Sequence, residues 1–225
     1  MITARFVNAL AGLSPQLPPF SISALTPIAT DTAKKRLLAI TQLRHARYCS
    51  LASVMGEIAV RQLLPWARGN RRAILTAGGD LHMEVASTFA QRLQEAGANR
   101  LNPIMFPHTL PSATATTLAA QFNAHVCAVA VEGSGAFGRA WHLAEMLISS
   151  KCADEVLIFT CRSGESARGG HSGHMTGIGM LLQASSAEAD SLTIPLGAAR
   201  GFHAGEPAAE AVRFLLTYAA PVSST

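Results

Sequence analysis

The residues best spaced for chemistry are Gly133-Ser134-Gly135-Ala136-Phe137-Gly138, which satisfy G-x-G-x-x-G. An apolar run precedes them and helical periodicity follows, so the glycines stand at a strand-to-helix turn. There a backbone without Cβ atoms can approach a pyrophosphate at a helix N-terminus, as in a dinucleotide site. Arg162, near the end of the next apolar run, suits the extra phosphate of NADP. Two features count against an NAD(P)-binding oxidoreductase: no acid ends that run to take the ribose hydroxyls, and too few βα units follow. The same turn offers a nucleophile. Ser134 sits where a helix dipole stabilises an anion, as a serine acyltransferase or decarboxylase would need. It is not a hydrolase elbow, because Glu132 stands where G-x-S-x-G requires glycine. No motif designates a base among the eight His. His171 and His174 form the only close His pair and lack a third ligand, so no metal is expected.

The elements that position this turn follow from periodicity. Residues 125–131 are apolar on both faces, which predicts a central strand in a sheet covered on both sides. Residues 73–77, 155–161, 177–184 and 192–196 read as further strands. Helices are expected from Asp31, from Leu51 toward Trp66, and over 83–96, 113–122 and 136–150. A last helix has Pro207 in its first turn and Val212, Leu215, Leu216 and Ala219 as its buried face. In the helix over 83–96, Val85, Phe89, Leu93 and Ala96 share one face. Three prolines between Asn102 and Pro111 predict an extended, irregular loop. Residues 1–30, rich in Pro and Ser, read as an irregular lead-in to a single α/β domain spanning 1–225.

Composition narrows the function classes. Of 225 residues, 49% are apolar and 14% charged, against the quarter or so usual for soluble domains. Disorder is excluded. No run reaches the roughly 18–20 apolar residues of a membrane span, and no signal peptide is read at the N-terminus. Four Cys without C-x-x-C spacing suit reduced thiols and a cytoplasmic location. The net charge of +4 includes a cluster, Arg61, Arg68, Arg71 and Arg72, that suits a solvated face. An anionic partner, such as a phosphopantetheine carrier, is the alternative. Nucleic acid is disfavoured, because the aromatics, 6% of the chain, do not interleave with the basic residues. Residues 101–131 contain no Asp, Glu, Lys or Arg. Such a stretch reads either as deeply buried core or as a subunit interface, whose core is depleted of charge, and its three prolines favour the interface.

Together these segments resemble the N-terminal half of a β-ketoacyl synthase, of the thiolase-like superfamily. Asn102-Pro103-Ile104-Met105-Phe106-Pro107-His108-Thr109-Leu110-Pro111-Ser112 is similar to the loop before the nucleophile strand. Val129-Ala130-Val131-Glu132-Gly133-Ser134-Gly135 is similar to the strand and elbow that present the catalytic Cys. Ala153-Asp154-Glu155-Val156-Leu157-Ile158 and Gly177-Ile178-Gly179-Met180-Leu181-Leu182 resemble the next two strands. Aligning the helix through Trp141-His142-Leu143-Ala144 puts Ser134 at the Cys position, and Ser is a far poorer nucleophile without a base. In the family, the two catalytic His come from a second half of the fold that this sequence lacks.

The resemblance therefore implies a thiolase-like half with a mixed five-stranded sheet. It also implies a short chain length factor, of aryl-polyene type: a non-catalytic subunit without cofactor. Such a subunit pairs with a catalytic ketosynthase, helps shape its acyl tunnel, and meets an acyl carrier protein through the complex. By resemblance, Val126, Ala128, Val129, Val131 and Phe137 face the partner. Met105, Phe106, His108 and Thr109 reach its tunnel, with Phe106 as the plug.

Overall fold

The computed structural model describes residues 2–8, 28–78, 81–162, 174–184, 192–198 and 207–218. Its strands are β1 (Ile2–Asn8), β2 (Ile28–Ala29), β3 (Arg72–Ala77), β4 (Cys127–Val131), β5 (Glu155–Arg162), β6 (His174–Ala184) and β7 (Leu192–Ile194). They form one seven-stranded sheet in the order β4-β3-β5-β6-β1-β7, with β2 pairing β6 off that path. β4, β3 and β5 run parallel, while β6 is antiparallel to β5 and β1 is antiparallel to both β6 and β7. The sheet is therefore mixed, and β1 and β2 join the five expected strands.

The helices are α1 (Thr30–Ile40), α2 (Leu51–Leu63), α3 (Met83–Ala96), α4 (Ala113–Phe122), α5 (Ala136–Ser149) and α6 (Pro207–Tyr218). Alternation along each strand divides the core in two. Ile74, Leu157, Phe159 and Leu181 face α2 and α4, where Leu118 and Phe122 are fully buried. Leu75, Val156, Ile158 and Met180 face the opposite layer, where Phe137, Trp141 and Phe214 of α5 and α6 stack as an aromatic cluster. Strands apolar on both faces require such covering.

Five expectations are corrected. The lead-in is not irregular at its start, because β1 lies between β6 and β7, pairing Ile2 with Ala184. Ile2 and Ala4 enter one core layer and Val7 the other, while Arg5, only 5% exposed, lies over the Trp66 ring at 5.4 Å. β4 is not central but the edge strand, paired on one side with β3. The 102–111 stretch is not extended: Pro103–Thr109 is a 3-10 helix. Proline tolerates its first turn, where the N–H has no partner to lose, and the Asn102 side chain accepts from Ile104 N at 3.0 Å. The buried face of α6 runs through Ala208, Ala211, Phe214 and Leu215, with Val212 only partly buried; Ala219 and the Leu216 side chain lie outside the described residues. In α3, Val85 is buried but Leu93 is 43% exposed, so the helix meets the core only through its first turns.

Candidate functional site

The elbow forms because two glycines adopt a backbone that side chains resist. Gly133 has φ 86° and Gly135 φ 68°, and Gly135 caps the N-terminus of α5. Gly138 is buried in the following turn. Arg139, one turn into α5, donates to Glu132 O at 2.6 Å and to Ser134 O at 2.7 Å, fixing the loop by its carbonyls. Ser134 is exposed, and its hydroxyl has no hydrogen-bond partner among the described residues. The titratable pair beside it is His82 and Glu132, Nδ1 to Oε1 at 3.5 Å. That pair is turned to each other across the Gly78–Val131 junction, where Gly78 N donates to Val131 O at 3.1 Å. Among the described residues no base is oriented on the Ser134 hydroxyl, as nucleophilic attack requires.

The dinucleotide reading fails on topology. In a nucleotide fold the strand before the glycine turn is internal, and the crossover helix returns the chain to its neighbour. Here β4 is the edge, and α5 leads to β5 across β3. The His171 partner of His174 lies outside the described residues. Among the described residues no three His, Cys, Asp or Glu side chains stand together as a metal site, and no helix is long and apolar enough to cross a membrane.

The residues expected at a partner surface separate into three groups. β4 carries Ala128, Val129 and Val131, all half-buried, with Val126 just ahead of it. In its ladder, Gly78 N bonds Val131 O and the register runs Ala73↔Cys127 to Ala77↔Val131. A parallel ladder of that register turns the backbone groups of Cys127, Val129 and Val131 toward β3. Those of Ala128 and Ala130 point outward. An apolar strand with no charge, proline or bulge to blunt its edge is a template for another strand.

The second group is the 3-10 helix. Phe106 is 57% exposed, its ring 6.1 Å from that of Phe89 on α3. Ile104 and Leu110 are 41% and 44% exposed beside it, while Met105 is buried. Thr109 Oγ1 donates to Phe106 O at 2.7 Å and closes the turn. His108 Nε2 lies 3.9 Å from Cys49 Sγ. Burial pushes the Cys49 thiol up; burial, then the charge of His45, pushes His108 down, so neither is charged at neutral pH. This is not an activated thiolate.

The third is Phe137, which is corrected. It is fully buried between Trp141 and Phe214 and faces no partner. The arginine cluster does not make an open anionic-partner face either. Arg61 meets Glu57 and Ile40 O, Arg71 grips Asp154 and Lys151 O, and Arg72 reaches Glu155, Gly69 O and Ala67 O.

The fold is a mixed sheet between two helical layers, with a glycine elbow opening α5 from an edge strand. Three solved structures resemble it. One is a ketosynthase in complex with its chain length factor from Xenorhabdus doucetiae, at TM-score 0.52 and 18% identity over 65% of this chain and 63% of that one. The ishigamide ketosynthase/chain length factor has TM-score 0.54 and 14% identity over 84% and 63%. The third is a type II polyketide synthase acyl-carrier protein in complex with its ketosynthase bound to the hexaketide. Its TM-score is 0.50 and its identity 16%, over 81% and 62%. The similarity thus covers under two thirds of each of those chains. No protein-family model matches the sequence, and no curated protein does.

Proposed function

We propose that this chain is a non-catalytic chain length factor subunit. It pairs with a catalytic β-ketoacyl synthase and shapes that enzyme's acyl tunnel in type II polyketide or fatty-acid-like biosynthesis, of aryl-polyene type. The observation that carries the reading is β4: an apolar edge, directly ahead of the elbow, unpaired on its outer side among the described residues. Pairing edge to edge would join two sheets into one and bury Val129 and Val131 against the partner. Ser134 fills the place of the family's Cys, with no base oriented on it among the described residues. Phe106, exposed on a charge-free segment, supplies bulk to the partner's tunnel. There overfilling a packed pocket costs on the order of 1–3 kcal/mol and limits how long a chain grows.

The experiment is co-expression with a catalytic β-ketoacyl synthase of a type II system. A stable one-to-one complex is expected, and Phe106→Ala in that complex should lengthen the product read by mass spectrometry. A monomer indifferent to that ketosynthase would remove the reading. An assembled complex whose products ignore Phe106 would remove only the tunnel role.

A further inference from the structure

A cavity of about 360 Å³ opens between the end of α1, the start of α2, α3 and the 3-10 helix. Its apolar lining includes Leu38, Val54, Val85 and Met105, and its rim carries Arg47 and Arg92. Both guanidiniums are exposed, and neither is committed to a carboxylate. Arg92 Nη1 is directed at the Met105 thioether sulfur, 3.4 Å away, a weak acceptor. Arg47 lies over the Tyr48 ring at 4.7 Å. The one acid in the lining, Glu84, directs Oε2 to Leu51 N at 3.2 Å, at the first turn of α2. Arg61, Arg71 and Arg72 elsewhere in the fold bind carboxylates and carbonyls; Arg47 and Arg92 do not.

We propose that this cavity binds an amphipathic monoanion: a short aliphatic chain in the apolar lining, ending in a carboxylate held between Arg47 and Arg92. The volume accommodates about a dozen non-hydrogen atoms at the roughly 30 Å³ each occupies in a liquid, and it falls in the range of small-molecule sites. A carboxylate between two arginines would gain charge-assisted hydrogen bonds that a thioether and a ring face do not offer.

Cys49 lines the same cavity and reports on it. The full chain is alkylated with iodoacetamide in the presence of octanoate, octanol or acetate, and each cysteine is quantified by peptide mass. Octanoate should slow Cys49 alkylation at least about fivefold while leaving exposed Cys152 unchanged, and octanol and acetate should not protect at equal concentration. Arg47→Gln with Arg92→Gln should weaken octanoate about tenfold or more, a pair of surface changes that leaves far-UV circular dichroism unaltered. The proposal falls if octanoate gives no protection, if octanol protects equally, or if the double variant is protected like the wild type. None of these outcomes depends on whether the chain pairs with a ketosynthase.

Discussion

Replacing Ala130 by proline tests the edge strand where the fold itself is least exposed to the change. The register with β3 leaves the N–H groups of Ala128 and Ala130 pointing away from the sheet, so proline at 130 removes no bond of the native ladder. Proline is tolerated on an edge strand with its missing N–H outward. A partner strand would lose the Ala130 N–H, and the ring would displace at least one neighbouring bond. At about 0.5–1.5 kcal/mol net for each, the loss is about 1–3 kcal/mol, a weakening of roughly 5- to 150-fold in Kd. The assay is titration of the variant with the ketosynthase that the wild-type chain binds, with circular dichroism and Tm as folding controls. Val129→Pro is the counter-control: its N–H belongs to the β3 ladder, so it should lower Tm. An Ala130→Pro variant that keeps its Tm and binds within twofold of wild type would refute the edge as the interface.

Ser134→Ala should leave product formation by the complex within about twofold, since among the described residues no base is aimed at the hydroxyl; a tenfold loss would return Ser134 to the chemistry. Glu155, 2% exposed, accepts from Gly69 N at 2.7 Å and Gln183 Nε2 at 2.6 Å, and pairs with Arg72 Nε at 3.2 Å. Removing it in Glu155→Ala strands those donors and should cost about 3–5 kcal/mol in urea unfolding, and a loss below 1 kcal/mol would contradict that role. Asp154 is held down to about 2 from its ordinary 3.8, chiefly by the hydrogen bond from the Arg71 side chain. Because the folded-state value is the lower one, its stabilisation is present above about pH 4 and lost as pH falls toward 2. The stability gap between wild type and Asp154→Asn should close over that window, and a gap that stays constant down to pH 2 would show the contact contributes nothing.

Elements whose apolar spacing is answered within this chain were readable from it. α3 and α4 have their expected bounds, and β3 and β5 shift only at an end. Ile2-Thr3-Ala4-Arg5-Phe6 alternates apolar and polar at the strand period, so β1 was legible locally although the Pro- and Ser-rich residues after it masked the signal. What the sequence could not show is that Arg5 becomes a core residue by lying over Trp66, more than sixty positions away. β4 shows a deeper limit. A strand apolar on both faces implies covering, but periodicity does not say whether its edge is covered by this chain or by another. The charge-free stretch around it mixes two cases. Leu118 and Phe122 of α4 lack charge because they are core, whereas Phe106, Ile104 and Leu110 lack it while standing exposed. Phe137 shares the local look of the elbow but points into the aromatic cluster, a direction fixed by the phase of α5 against α6. The cavity at Arg47 and Arg92 joins four elements far apart in sequence, and no local pattern announces it.

The place of β1 has a consequence for how the protein is made. Ile2 pairs with Ala184 and with Ile194, so β1, made about 180 residues before β6, waits for β6 and β7 before it is hydrogen-bonded. At roughly 5–20 residues per second, that interval is on the order of ten seconds or more. For that time the α2 and α5 layers flank a sheet missing an inner member, and Ile2, Ala4 and Val7 have nowhere to bury. Closing a loop of that length is slow and leaves apolar edges open to other chains. A bulky fusion at the N-terminus would load the last strand to dock, and should lower the yield of folded protein more than the same fusion placed after α6.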